Sequence, residues 1–415
     1  MNGEREAKRR TGLALLVPRG AAPFAATLVA GRALRAFVDG YVAVLLPAYL
    51  LALGFDVWTV GVLGTVTLLG SALATLAVGA WGHRFAQRRL LLVAALLMIG
   101  TGLGFAGLAQ LWPLLAVAFV GTLNPSSGDV SVFLPLEHAQ LAGAAQGDAR
   151  TQLFARYSLL ASLASAFGAL AAAVPAWLAS RSGIELVTAL RLMFAGYAAA
   201  GLVLLWLYRR LPEPHASTGT RRSALGPSRR IVFKLAALFS VDSFAGGLAL
   251  NSLMSLWLMQ RFDMSLAAAG TFFFGSGLLA AASMLAAPWV ARRIGLLNTM
   301  VFTHMPANLA LIGAALAPSL PLALGLLLFR AALSQMDVPT RTAYVMSVVT
   351  PDERSAAASV TAVPRSLASA LSPSLAGALF AAGWLAAPLL ACGLLKIGYD
   401  LALWGACRKH TLEDR

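Results

Sequence analysis

The sequence predicts an all-α membrane protein of twelve transmembrane helices in two pseudo-symmetric six-helix bundles, on three observations. First, 59% of the 415 residues are hydrophobic and only 12% are charged, against about 25% in soluble domains, too few to make a water-facing surface. Second, apolar runs of roughly 20 residues, the number that crosses about 30 Å of hydrocarbon as a helix, recur twelve times. Third, the second half of the chain repeats the first.

In chain order the runs cover residues 29–53, 57–80, 90–109, 112–138, 151–177, 187–208, 232–258, 265–290, 296–317, 321–347, 355–381 and 384–406. Each must be helical, because lipid offers no partner for an unpaired backbone group. The net charge of +15 gathers in short clusters between the runs and not on one basic face, which argues against a nucleic-acid partner. Those clusters (Lys8 to Arg10, Arg84 to Arg89, Arg150, Arg209 to Arg230, Arg292 and Arg293, Arg341 and Arg354, Arg408 and Lys409) occupy alternate connections. Positive loops stay in the cytoplasm, so both termini are expected there, in a multi-pass protein of the cytoplasmic (inner) membrane. All nine tryptophans fall near predicted span ends, where indole rings prefer the headgroup region. Arg9-Arg10 is read as part of a cytoplasmic tail and not as an export signal, since Pro18-Arg19 cuts the following apolar run short.

The expected organisation is a basic tail at 1–28, a first bundle at 29–210, a cytoplasmic linker at 211–230, a second bundle at 231–407 and a tail at 408–415. Three echoes support the repeat. Phe37-Val38-Asp39-Gly40 in the first span returns as Ser240-Val241-Asp242-Ser243 in the seventh. The basic turn Gly79 to Arg89 returns as Pro288 to Gly295. Asp148-Ala149-Arg150 returns as Asp352-Glu353-Arg354, and Arg156 to Gly168 has the same spacing as Arg365 to Gly377.

Six spans, a polar linker, six more spans and a basic turn after spans 2 and 8 resemble the major facilitator superfamily of secondary transporters. The loop pattern of that family, G-x-x-x-D-R-x-G-R-R, is matched by Gly79, Arg84, Arg88 and Arg89, with His83 in place of its aspartate and Ala86 in place of its second glycine. In the second copy Arg293 and Gly295 match while Arg292 takes the aspartate position. The resemblance implies that these glycines and arginines serve a cytoplasmic gate. The G-P-x-x-G-G pattern of many proton-coupled drug exporters is absent from the fifth span, which reads Gly168-Ala169-Leu170-Ala171-Ala172.

Charges inside the membrane cost about 2.5 to 3.5 kcal/mol each at the helix centre and therefore mark functional candidates. Asp39 and Asp242 lie about 15 Å from the cytoplasmic boundary at helical rise, and the repeat places them symmetrically beside a central cavity. Arg35, one turn before Asp39, allows either a helix-internal ion pair or a substrate or proton site. Asp242 has no basic neighbour at that spacing and is the stronger candidate to carry a proton. In the fourth span Asn124, Ser126 and Asp129 flank Pro125, which should kink the helix and free backbone groups; a hinge alone is the other reading. Glu137, closer to the inner boundary, is expected in a solvated or gating role. In the tenth span Arg330 is expected to pair with Asp39, Asp129 or Asp242, and Asp337 lies toward the cytoplasm. Arg156 and Arg365 read as helix-orienting residues, and His304 and Asn308 as an interhelical hydrogen-bonding face.

The function these features imply is secondary active transport of a small solute by alternating access, coupled to protons. Export is preferred over import of a small metabolite, because hydrogen-bonding groups are few. The central acids outnumber the bases, which favours a cationic or neutral solute. A receptor or scaffold that kept the fold is the alternative of another class. There is no Walker-type nucleotide loop, metal-ligand spacing or nucleophile motif, so no cofactor, metal or enzyme activity is expected. The expected partners are the solute, lipid and protons, with the chain a monomer.

Overall fold

The computed structural model describes residues 16–126, 131–212, 226–350 and 353–408. Sixteen α-helices make up these residues. In the first half they are α1 (Phe24–Ala52), α2 (Val57–Trp81), α3 (Gln87–Gly107), α4 (Leu111–Val120), α5 (Phe133–Ala144), α6 (Gly147–Ala171), α7 (Val174–Ser182) and α8 (Leu186–Tyr208). In the second half they are α9 (Arg229–Gly247), α10 (Asn251–Phe262), α11 (Leu266–Ile294), α12 (Leu296–Leu316), α13 (Leu320–Ser334), α14 (Asp337–Ser347), α15 (Arg354–Ala381) and α16 (Ala387–Cys407). Ten stretches are long and apolar enough to cross a membrane, counting α6 with α7, α9 with α10 and α13 with α14 as single crossings. The chain is an all-α, multi-pass membrane protein.

Every expected span is helical, but four are interrupted. The fourth stops at Val120 and resumes at Phe133; the fifth, seventh and tenth break at residues 172–173, 248–250 and 335–336. Pro125 accounts for part of the first break, since it offers no backbone donor. The seventh-span break contains no proline, and tertiary pairing explains it. The Ser252 N–H, one of the orphan donors at the start of α10, donates to the Pro125 carbonyl at 3.1 Å. Two irregular segments thus satisfy each other inside the protein, the condition under which non-helical backbone is tolerated at membrane depth.

The basic turns define one end of the molecule, here the basic end; the opposite is the far end. Large apolar side chains such as Trp112, Leu103, Leu285 and Leu394 face outward, as a lipid-facing surface requires. Seven of the nine tryptophans are more than 45% exposed, Trp404 is half-buried, and Trp257 is the exception at 1%, packed edge-to-face on Phe262. Its neighbours Ser252 to Leu258 on α10 are all buried, so it is a core residue and not an interfacial anchor. α1, by contrast with the outer helices, is buried along most of its length.

Contacts between residues 24–208 and 229–407 gather at the far end. α2 crosses α15 with Gly61 against Pro373 and Gly377, so close that a Cβ on Gly61 would stand 2.4 Å from the Pro373 carbonyl oxygen and 2.8 Å from Gly377 Cα. The Ser374 N–H donates to Thr65 Oγ1 at 2.9 Å beside this crossing. α6 crosses α11 likewise, where a Cβ on Gly270 would lie 2.6 Å from the Ala169 carbonyl, and Phe167 meets Phe274 at 5.2 Å. Ser255 Oγ donates to the Val44 carbonyl at 2.9 Å. The main apolar core joins both halves around these crossings. A second core, around Val232, Leu297, Tyr344 and Leu403, belongs to the basic end of the second half alone.

Candidate functional site

A cavity of about 260 Å³ lies between the two halves, behind the far-end crossings. It runs from Val44 and Phe273, near the closed end, to His138 and Gln335, toward the basic end. The first half supplies Arg32 and the serines 158, 162 and 165, which share one face of α6 at helical spacing. The second half supplies Arg330 and Ser334 from the end of α13 and Asn251 from the start of α10. Two interrupted crossings thus present their helix ends to the cavity. No aspartate or glutamate is among the described residues that line it. Asp39, Asp242 and Asp337 therefore do not line the cavity.

The acids are buried behind the wall. In the first half Glu137 has no exposed surface; its carboxylate pairs with Arg35 and accepts the hydroxyls of Tyr157 and Tyr208. Arg35 also donates to Ser131 Oγ at 3.4 Å and lies over the Phe133 ring at 4.1 Å. A buried ion pair breaks even only when its remaining polar atoms are also satisfied, and this one gathers donors from α1, α6 and α8. Glu137 is consequently not solvated, and it takes the role of Arg35's direct partner that the sequence offered to Asp39. Asp39 is buried but does not line the cavity; its neighbour Gly40 does, at a crossing where a Cβ would stand 2.1 Å from the Ser165 carbonyl.

In the second half Asp242 sits between two cations, Lys396 Nζ at 2.5 Å and Arg341 Nη2 at 3.0 Å. Arg341 also pairs with Asp337, one turn away on α14. Two carboxylates and two cations from α9, α14 and α16 thus balance, and Asp242 is not the lone acid that its own helix suggested. Beside them His304 Nδ1 meets Asp400 at 2.9 Å, and Asn308 donates to the same carboxylate at 3.3 Å, the interhelical bonding expected for that face. Arg365 lies well inside α15, where its Nε donates to Ser243 Oγ at 3.2 Å. Lys396 and Asp400 were missed in the sequence. Four residues apart in an apolar span, they carry the same signal of intramembrane charge that marked Asp39.

Arg330 makes no ion pair among the described residues, and its Nε has no hydrogen-bond partner there; the pairing expected with Asp39 or Asp242 does not occur there. Ser126 lines the cavity. Asn124 is buried, and its Oδ1 accepts the Ser126 N–H at 3.1 Å and Oγ–H at 2.8 Å, closing the turn at the break. Asp129 lies outside the described residues. Of the gate candidates, Arg84, Arg89, Arg292 and Arg293 are exposed, and Arg293 stacks on Trp289 at 4.1 Å. Arg88 is half-buried, and Gly79 and Gly295 have open space where a Cβ would go, Gly295 at a φ of +85°. The close glycine contacts between the two halves lie at the opposite end.

The sequence model of the Major Facilitator Superfamily matches residues 28–373. An uncharacterized membrane protein of Saccharomyces cerevisiae is 24% identical over 406 residues, which span 89% of this chain and 91% of that protein. Among solved structures, the D-xylose-proton symporter superposes with a TM-score of 0.73 at 17% identity, over 91% of this chain and 97% of its own. The nucleoside transporter NupG superposes with a TM-score of 0.68 at 16% identity, over 92% and 98%.

Proposed function

Because the chain belongs to the Major Facilitator Superfamily, a family of secondary transporters and not of enzymes, we propose that it moves a small polar solute across the cytoplasmic membrane by alternating access coupled to protons. The observation that carries this reading is the cavity between the halves, with direct helix contact at the far end. Rocking one half against the other about that cavity is the motion such folds allow.

In this reading the interrupted helices pair into single crossings and the chain makes twelve. They divide into bundles at 29–210 and 231–407 joined by the linker 211–230, and the basic end with both termini is cytoplasmic. The structure is then the inward-facing state of a monomer. Export rested on a scarcity of hydrogen-bonding groups. The cavity wall, with its arginines, serines, asparagine and glutamine, supports uptake of a polar metabolite instead.

Proton coupling is assigned to Asp242. Protonating it would release Lys396 and Arg341, which sit on two other helices, so that proton uptake and helix movement become one event. The test is transport in proteoliposomes. Asp242→Asn should keep solute exchange without a gradient and lose accumulation driven by an imposed pH gradient. Undiminished accumulation would remove Asp242 from the coupling, and absence of exchange for every solute with the folded wild-type chain would favour the receptor or scaffold reading.

A further inference from the structure

We infer that Asp400 is the carboxylate that Lys396 takes when proton uptake frees it from Asp242, so that the coupling proton moves a tie of α16 from α9 to α12; this rests on the coupling assigned to Asp242 above.

Two ion pairs meet on α16. Lys396 reaches Asp242 on α9, and one turn further along the same face Asp400 meets His304 and Asn308 on α12. Both side chains are buried, Lys396 at 8% and Asp400 at 1% exposure. Among the described residues no arginine or lysine stands within ion-pair distance of Asp400. An imidazole and an amide hold it, while Lys396 and Asp242 act on it at longer range.

Protonation of Asp242 leaves its two cations in different positions. Arg341 keeps Asp337 on its own helix. Lys396 keeps no anion, and an ammonium buried alone is strongly disfavoured. The groups around it select the new partner. On α9 Asp242 is then neutral, on α14 Asp337 is held by Arg341, and on α15 Arg365 faces Asp242 and Asp337 and repels a second cation from that side. α12 offers His304, and α16 itself offers Cys392, Tyr399 and Asp400. Asp400 is the carboxylate that remains, at the i+4 spacing where a lysine and an aspartate on one helix meet. Tyr399 lies between them at i+3. Its hydroxyl is buried without a hydrogen-bond partner among the described residues and stands within electrostatic reach of Asp242 and Asp400, so it supplies a neutral acceptor along the way. The proton stays on the Asp242 carboxyl and Lys396 stays an ammonium throughout.

The handover has a mechanical consequence. α9 continues after its break into α10, which is joined to the first half by Ser255 Oγ on the Val44 carbonyl and by the Ser252 N–H on the Pro125 carbonyl. Untying α9 from α16 therefore loosens the element that runs on to the far-end contacts.

Labelling of Asn251→Cys by a membrane-impermeant maleimide from the far side of proteoliposomes, followed against pH and corrected for thiol ionisation, reads the movement without any solute. Asp242→Asn should abolish its pH dependence. Asp400→Asn, and Asp400→Ser as a second neutral substitute, should move the midpoint toward acid by about one pH unit or more, with Asp400→Glu restoring it and the variants unfolding near the wild-type temperature. In Lys396→Met the same substitutions should have little effect, because no ammonium is left to hand over. An equal shift in that background would reveal a direct field of Asp400 on Asp242 and overturn the handover. An unmoved midpoint in both neutral variants would overturn the role of Asp400 and leave coupling at Asp242 standing. Labelling that ignores pH, or a pH dependence that survives Asp242→Asn, would overturn the coupling itself and the handover with it.

Discussion

Replacing Gly61 by alanine should shift the chain toward the state open at the far end. The new Cβ would meet the Pro373 carbonyl at 2.4 Å, about 1 Å short of the 3.4 Å at which ordinary contact begins, and Gly377 Cα at 2.8 Å. Both obstacles are backbone or α-carbon atoms, so no side chain can swing aside and the two helices must part. Overpacking of this kind costs about 1–3 kcal/mol. Under the alternating-access reading proposed above, the α2–α15 crossing joins the two halves only while the far end is shut, so the cost falls on that state alone. The equilibrium should then move by about 5–150-fold. A cysteine at position 251, on the cavity wall, reports the change through its reactivity with a membrane-impermeant maleimide applied from either side. Both native cysteines are buried and add little background. Gly61→Ala should speed labelling of Asn251→Cys from the far side and slow it from the basic side. Equal labelling with and without Gly61→Ala, in a folded chain, would show that this crossing does not separate the two states.

Glu137→Ala leaves Arg35 buried without its anion and two tyrosine hydroxyls without their acceptor, and should lower stability by about 3–5 kcal/mol, measured by thermal unfolding in detergent. If Asp242 and Lys396 form only a structural pair, Asp242→Asn combined with Lys396→Met should restore gradient-driven accumulation; under the coupling proposed above the double variant stays uncoupled while exchange continues. Glu353, at the start of α15, is held below the usual glutamate range by Ser228 foremost, with the Gly226 amide and the Thr350 hydroxyl. A depressed folded-state pKa means that its contribution is complete above the ordinary glutamate pKa and lost as pH falls through the lowered value. Hydrogen-exchange protection at the Gly226 and Ser228 amides, corrected for intrinsic rates, should therefore fall between about pH 5 and pH 2 and be low throughout in Glu353→Gln; protection independent of pH would refute this role of the Glu353 carboxylate.

Helices were legible in the sequence wherever an apolar run had to close its own hydrogen bonds, and among the described residues each run is helical apart from four interruptions. The breaks were less so. Pro125 announced one, but the break at 248–250 depends on a carbonyl more than a hundred residues away, which hydropathy does not encode. Charge behaved similarly. Asp39 and Asp242 were rightly placed away from lipid, yet their partners could be sought only along their own helices, and the true neighbours of Asp242 arrive from α14 and α16. Glu137 looked solvated because of its distance from the bilayer centre, and only the convergence of Tyr157 and Tyr208 reveals otherwise. Trp257 shows the same limit: position near a span end does not tell which way an indole points.

The crossings built on Gly61, Gly377 and Gly270 bring backbone directly against backbone. Opening such a seam costs mainly dispersion contacts and a few hydrogen bonds that water can replace. The far seal should therefore behave as a low-friction bearing, with a small enthalpic barrier to parting and a turnover that varies little with temperature at that step.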